Sequence, residues 1–159
     1  MEPGKVRRKD REIGLEESRK ILDSGTYGVL ATVDASGQPY AVPLSYVVLN
    51  EKIYFHCARS GHKIDNLAGN PRVSFVVVGR AEAVYNGHYT TYYESAVVFG
   101  RTCEVEDADE KYAAIYALTE KYTPDNMDKA EEYIRSHMKP TAIYAIEMEI
   151  ITGKANREK

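Results

Sequence analysis

The stretch Tyr40-Ala41-Val42-Pro43-Leu44-Ser45-Tyr46-Val47-Val48-Leu49, the pair Asn50-Glu51, and then Lys52-Ile53-Tyr54-Phe55-His56-Cys57 decide the fold. Val42, Leu44, Tyr46 and Val48 fall on alternate positions, the period of a half-buried strand. Asn50-Glu51 makes a tight turn into the next run, so the two runs read as an antiparallel pair. Pro43 has no N–H to donate to a ladder, which predicts a bulge or an unpaired position.

Outward from this pair, Tyr27 to Val33 reads as a preceding strand, separated by the turn cluster Asp34-Ala35-Ser36-Gly37-Gln38. Leu15 to Ser24 reads as a helix with Leu15, Ile21 and Leu22 on one stripe and Gly25 as its stop. Downstream, a helix is expected over Ser60 to Gly69, capped by Ser60 and ended by Asn70-Pro71. Arg72 to Val78 is a nearly continuous β-branched run, the pattern of a strand buried on both faces. Gly79 to Glu94 reads as a tyrosine-rich connection, and Ala96 to Glu106 as a strand.

Asp107 and Glu110 have capping-box spacing ahead of a helix to Tyr122, with Tyr112, Ile115, Tyr116 and Thr119 lining a face. A second helix is expected over Met127 to Met138, and a last strand over Thr141 to Ile151. That strand alternates Ile143 and Ala145 against Tyr144, Ile146 and Met148. Six strands without βαβ alternation favour a mainly antiparallel sheet with peripheral helices, closing into a small barrel. The expected organisation is a basic arm over 1–14 and one domain over 15–159.

The 159 residues make about one domain. A net charge of -3 argues against a nucleic-acid footprint over the surface. The arm Lys5-Val6-Arg7-Arg8-Lys9-Asp10-Arg11 is the basic exception, and reads as a solvated leader or a clamp over a partner subunit. The charged start predicts no secretory signal, and the longest apolar runs fall far short of a membrane span. Two cysteines, Cys57 and Cys103, make no disulfide framework and fit a cytoplasmic location. Thirteen tyrosines against three phenylalanines and no tryptophan suit half-polar walls, as at a dimer interface.

Nucleotide-loop and nucleophile-elbow motifs are missing, and no metal is expected because His56, His62, His88 and His137 lack ligand spacing. The chemically informative segment is Phe55-His56-Cys57-Ala58-Arg59-Ser60-Gly61-His62-Lys63. It runs from a strand end through small residues into a helix start, where N–H groups are unpaired and the dipole is positive. Arg59, His62 and Lys63 add cationic side chains, so the segment predicts an anion site suited to phosphate. A phosphate site beside an apolar barrel suggests a phosphorylated planar cofactor, with backbone groups near Pro43 placed to meet a flat ring.

These pieces, in order, are Gly37-Gln38-Pro39-Tyr40, Val42-Pro43-Leu44-Ser45-Tyr46, Tyr54-Phe55-His56, Gly61-His62-Lys63 and Asn70-Pro71-Arg72-Val73-Ser74. Together they resemble the pyridoxamine 5′-phosphate oxidase-like, FMN-binding split barrel, a six-stranded antiparallel β-barrel. Arg7 to Ile13, Tyr54 to Ala58 and Ile151-Thr152-Gly153-Lys154-Ala155 are similar to its nitroimidazole-resistance branch.

The resemblance implies FMN at the interface of a homodimer, with a small-molecule electron donor and acceptor. It makes Lys63 and His62 phosphate contacts, and places His56 and Cys57 by the ribityl-phosphate side. Pro43, Leu44, Ser45 and Tyr46 would lie along the ring, and Ser95 would be a further polar contact. Reduction of nitroimidazole-type nitro groups is the activity associated with that branch. His56 is the expected catalytic side chain, since an imidazole exchanges protons near neutral pH.

Two departures weigh against oxidation of pyridoxamine phosphate. Ala41 or Val42, and Tyr46, stand where the vitamin-B6 oxidase has arginine and lysine, and the chain ends Gly153-Lys154-Ala155-Asn156-Arg157 without its Arg-x-His signature. A non-catalytic flavin-binding or redox-sensing protein, and a split barrel holding haem or a deazaflavin instead, are the alternatives. For haem, His56, His62 or His88 would be the candidate axial ligands.

Overall fold

The computed structural model describes residues 5–138 and 140–158, so the first four residues of the expected arm lie outside it. The arm continues through a 3-10 turn at Lys9–Arg11 into β1 (Glu12–Ile13). There follow α1 (Leu15–Ser24), β2 (Gly28–Val33), β3 (Pro39–Leu44), β4 (Val47–Leu49), β5 (Lys52–Cys57) and α2 (His62–Gly69). The second half contains β6 (Arg72–Tyr85), β7 (Tyr89–Glu104), α3 (Ala108–Tyr122), a 3-10 stretch Pro124–Lys129, α4 (Ala130–His137) and β8 (Ala142–Asn156).

Every strand pair is antiparallel. The sheet runs β3-β2-β6-β7-β8-β5-β4, with β1 added beside β8. Its two ends, β3 and β4, are consecutive in the chain and joined only by Ser45 and Tyr46. A sheet whose first and last strands are one dipeptide apart must curl until its edges meet, and this makes the half-open barrel. The path has seven strands rather than six because the expected Tyr40–Leu49 strand divides at this corner. Val42, Leu44, Tyr46 and Val48 nevertheless all pack into one core with Leu30, Phe55, Phe75 and Val98.

Pro43 makes no bulge: it pairs with Val29 in a continuous register from Gly28–Leu44 to Val33–Pro39. As β3 ends the path, one of its sides is free, and the missing donor is tolerated there. Asn50 and Glu51 both have positive φ (48° and 62°), as a two-residue hairpin turn requires. On β6, Val73, Phe75 and Val77 are buried but Val78 is 51% exposed, so the strand is buried on one face within a single chain. The tyrosine-rich connection is instead the far half of the β6–β7 hairpin.

A second, smaller core lies outside the barrel, where Val47, Tyr54, Ile143 and Ala145 meet Ala114 and Leu118 of α3. The alternation along β8 thus serves two cores. The fully buried residues of α3 are Ala114 and Leu118; of the expected Tyr112, Ile115, Tyr116 and Thr119 face, Ile115 packs half-buried against the same core, whereas Tyr116 is exposed. Asp107 caps α3 by accepting from the Asp109 and Glu110 N–H groups at 3.1 and 2.8 Å, a contribution of about 1 kcal/mol. Glu110 does not complete the capping box; it accepts from the Tyr54 hydroxyl (2.6 Å) and Lys52 Nζ (3.0 Å).

Candidate flavin site

The end of β5 and the start of α2 position the expected anion contacts. Gly61 takes φ +125°, a conformation open to glycine, and is the N-cap in place of Ser60. Its carbonyl accepts from Ile64 and Asp65 (2.7 and 3.1 Å), so the N–H groups of His62 and Lys63 precede the first helical bonds and remain available. The His62 ring packs 4.4 Å from that of Tyr40 on β3. Ile64 and Leu67 pack with Val42, Leu44 and Cys57, and Asn66 donates to the Thr32 hydroxyl (2.9 Å). The helix is therefore fixed against both β2 and β3. Arg59 forms an ion pair with Glu104 at 3.6 Å.

Adjacent residues on β5 point to opposite faces. Cys57 is buried in the barrel core; burial pushes its thiol up, and nearby Lys63 partly opposes this. His56 is exposed on the other side and lines a cavity of about 410 Å³ with Ser45, Leu118, Tyr122, Tyr133 and His137. That volume lies in the range of small-molecule sites. Tyr133 and His137 stack 4.1 Å apart. Both escape the sequence reading, although their i, i+4 spacing in the expected 127–138 helix puts them on one face.

Pro43 is exposed and Leu44 half-buried on the edge strand. Tyr46 is fully buried, and its hydroxyl donates to the Leu22 carbonyl. Burial pushes that phenol up. The side chain of Tyr46 thus belongs to the scaffold, leaving Pro43, Leu44 and Ser45 as the accessible part of this run.

Ser95 lies elsewhere, in a second cavity of about 270 Å³ with Lys5, Val6, Arg7 and Lys154. Val6 is buried there, so this part of the arm packs on the sheet rather than trailing in solvent. Cross-strand register puts Pro43, Val29, Val76, Val97 and Thr152 in one row across the outer face of the sheet. Ser95, two residues from Val97, shares that face. One chain therefore gathers Ser45 and His56 in one cavity and His62 and Lys63 at the helix start, and sets Ser95 apart from both. Among the described residues, no cluster of three metal-ligating side chains occurs, and no helix is long and apolar enough to cross a membrane.

This curled antiparallel sheet, with a helix start beside its edge strand, is that of a split barrel. The chain belongs to the family described as pyridoxamine 5′-phosphate oxidase, whose sequence profile matches residues 15–155. Its fold is similar to that of a candidate 5-nitroimidazole antibiotic resistance protein from Bacteroides thetaiotaomicron, with 25% identity and a TM-score of 0.77 over 90% of this chain and 85% of that one. A conserved hypothetical protein from Mycobacterium tuberculosis shares 22% identity, with a TM-score of 0.81 over 96% and 91% of the two chains. A FAD-binding protein from Mesorhizobium loti shares 25% identity, with a TM-score of 0.64 over 92% and 98%. No significant match was found among curated protein sequences.

Proposed function

We propose that the chain is an FMN-binding oxidoreductase acting as a homodimer with flavin at the subunit interface. The observation that carries this reading is the start of α2, where two available N–H groups and the Lys63 side chain lie next to the edge strand of a split barrel. The likeness to a FAD-binding protein supports a flavin. FMN would bring its single phosphate to the start of α2.

The flavin, when bound, would supply two-electron chemistry between a small-molecule donor and acceptor. The chain's own residues bind and orient. The N–H groups of His62 and Lys63 and the Lys63 ammonium would hold the phosphate. Pro43, Leu44 and Ser45 would form the wall beside the ring, with Tyr46 fixing their corner from inside. Cys57 would support the same strand end from the core. His56, exposed beside the cavity, is placed to exchange a proton with a bound acceptor.

Ser95 supports the dimer. Within one chain it lies apart from His56, and a second copy packed on the outer face offers a way to unite them. The free cysteines fit a reducing, cytoplasmic setting. The likeness to a candidate nitroimidazole resistance protein suggests nitroaromatic acceptors.

The test is anaerobic oxidation of a reduced nicotinamide by FMN-loaded protein, with and without a 5-nitroimidazole. Acceptor-dependent turnover that falls in the His56→Gln variant is the expected result. Retained flavin without turnover would assign the chain to flavin storage or redox sensing instead.

A further inference from the structure

The last strand-paired residue of β7 beside β8 is Tyr93, opposite Asn156, and β2 pairs with β6 only at Ser74 to Val76. Glu82–Tyr85 and Tyr89–Tyr92 therefore have only each other as strand partners. This ribbon extends about 13 Å beyond the sheet, four residues at strand rise. A two-stranded ribbon alone in water is marginal at best.

Its two faces differ. Register carries the outer face of the sheet onto the ribbon: beyond Val78 and Ser95 come Ala81 opposite Tyr93, Ala83 opposite Thr91, and Tyr85 opposite Tyr89. The irregularity at Gly79 keeps the two strands in phase, so this face is continuous to the tip. There, Tyr85 and Tyr89 pack 4.9 Å apart while 68% and 93% exposed. The opposite face carries the charges, with Arg80 bonded to Glu82 and Glu94 to Arg157.

We propose that this ribbon is a dimer clasp, whose tyrosine tip packs on the outer face of a second copy of the chain. The inference rests on the homodimer reading above and extends it. On the ribbon, from Ala81 to Tyr85 on β6 and from Tyr93 to Tyr89 on β7, the outer face bears no charged side chain of either strand; Lys5, Arg7 and Lys154 enter only at Ser95. Such a surface suits a twofold contact, where each patch meets its own copy and like charges would otherwise oppose. The ribbon itself offers nothing for an acidic or basic partner to pair with. Tyrosines add apolar area while their hydroxyls remain satisfiable at a wet rim.

The experiment is sedimentation equilibrium on the full chain, alongside Tyr85→Ser/Tyr89→Ser and Ala83→Glu variants checked for unchanged circular dichroism. A dimeric wild type whose dissociation constant rises at least tenfold in both variants is expected. A dimeric wild type with variants that dissociate no more readily overturns the clasp and leaves the dimer standing. A monomeric wild type overturns both.

Amide exchange on the wild type gives a reading that needs no variant. Residues 82–92 should exchange at least tenfold more slowly above the dimer dissociation constant than below it. Concentration-independent exchange would overturn the clasp.

Discussion

The hydroxyl of Tyr122, at the end of α3, accepts a hydrogen bond from the Tyr46 N–H at 2.9 Å. It also lies 2.8 Å from the Thr26 carbonyl and 3.0 Å from that of Tyr46. One phenol thus holds the corner where the sheet's two ends meet, and Lys121 beside it lies 4.0 Å above the Tyr46 ring. Removing the hydroxyl by Tyr122→Phe strands a backbone donor in the corner. The expected loss is about 1–3 kcal/mol, measured by urea unfolding, together with weaker FMN binding because Ser45 and Pro43 lose their fixed position. Unchanged stability would show that water replaces the phenol without penalty.

Lys63→Ala removes one charge-assisted contact to the proposed phosphate, about 1.5–3 kcal/mol. FMN affinity should fall about 10- to 150-fold, while riboflavin, which lacks the phosphate, should bind the variant and the parent alike. A titration by flavin fluorescence reads both. Equal losses for the two ligands would place Lys63 beside the ring or in the scaffold instead of at the phosphate.

Much of the architecture is legible from local chemistry. The ends of α1 and β4 are marked by Gly25 and by the Asn50-Glu51 turn, which act within a few residues. The division at Ser45-Tyr46 is not legible, because Val42, Leu44, Tyr46 and Val48 keep one apolar face across it; only closure of the sheet breaks the run. The ribbon beyond Val78 is hidden for the opposite reason. Its alternation is of alanine, threonine and tyrosine against charge, which lacks the aliphatic signal of a buried strand. At the site, Gly61-His62-Lys63 declares a helix start in the sequence, whereas Tyr133 and His137 reach the His56 cavity only because α4 packs back against α3.

Acid should weaken the α3 anchor. The Tyr54 hydroxyl and Lys52 hold the Glu110 carboxyl below its ordinary value. A depressed carboxylate contributes stability above the unfolded-state value, and that contribution disappears as pH falls through the folded-state value. Glu110→Gln should therefore lower Tm at pH 7 by about 2–4 °C, the equivalent of about 1 kcal/mol at this chain length. The difference from the parent should close below the carboxylate range. A constant difference from pH 7 to strongly acidic conditions would show that packing, rather than ionisation, supplies the effect.

Gly100 sits at the irregularity between β7 and β8, and a Cβ there would collide with the Glu147 carbonyl oxygen. Backbone cannot swing aside as a side-chain end can, so Gly100→Ala should cost about 1–3 kcal/mol. The check is chemical denaturation. A loss below about 0.5 kcal/mol, the usual range for an inert surface change, would contradict the close approach.

The proposed assembly is two copies of this chain forming two FMN sites. Its most direct measurement is sedimentation velocity of FMN-loaded protein followed at the flavin's visible band, after removal of free ligand. Colour moving with a species of two chains, at one flavin per chain, is the expected result. Colour migrating with a single chain would contradict the interface site, and a colourless protein that retains no FMN would contradict the flavin itself.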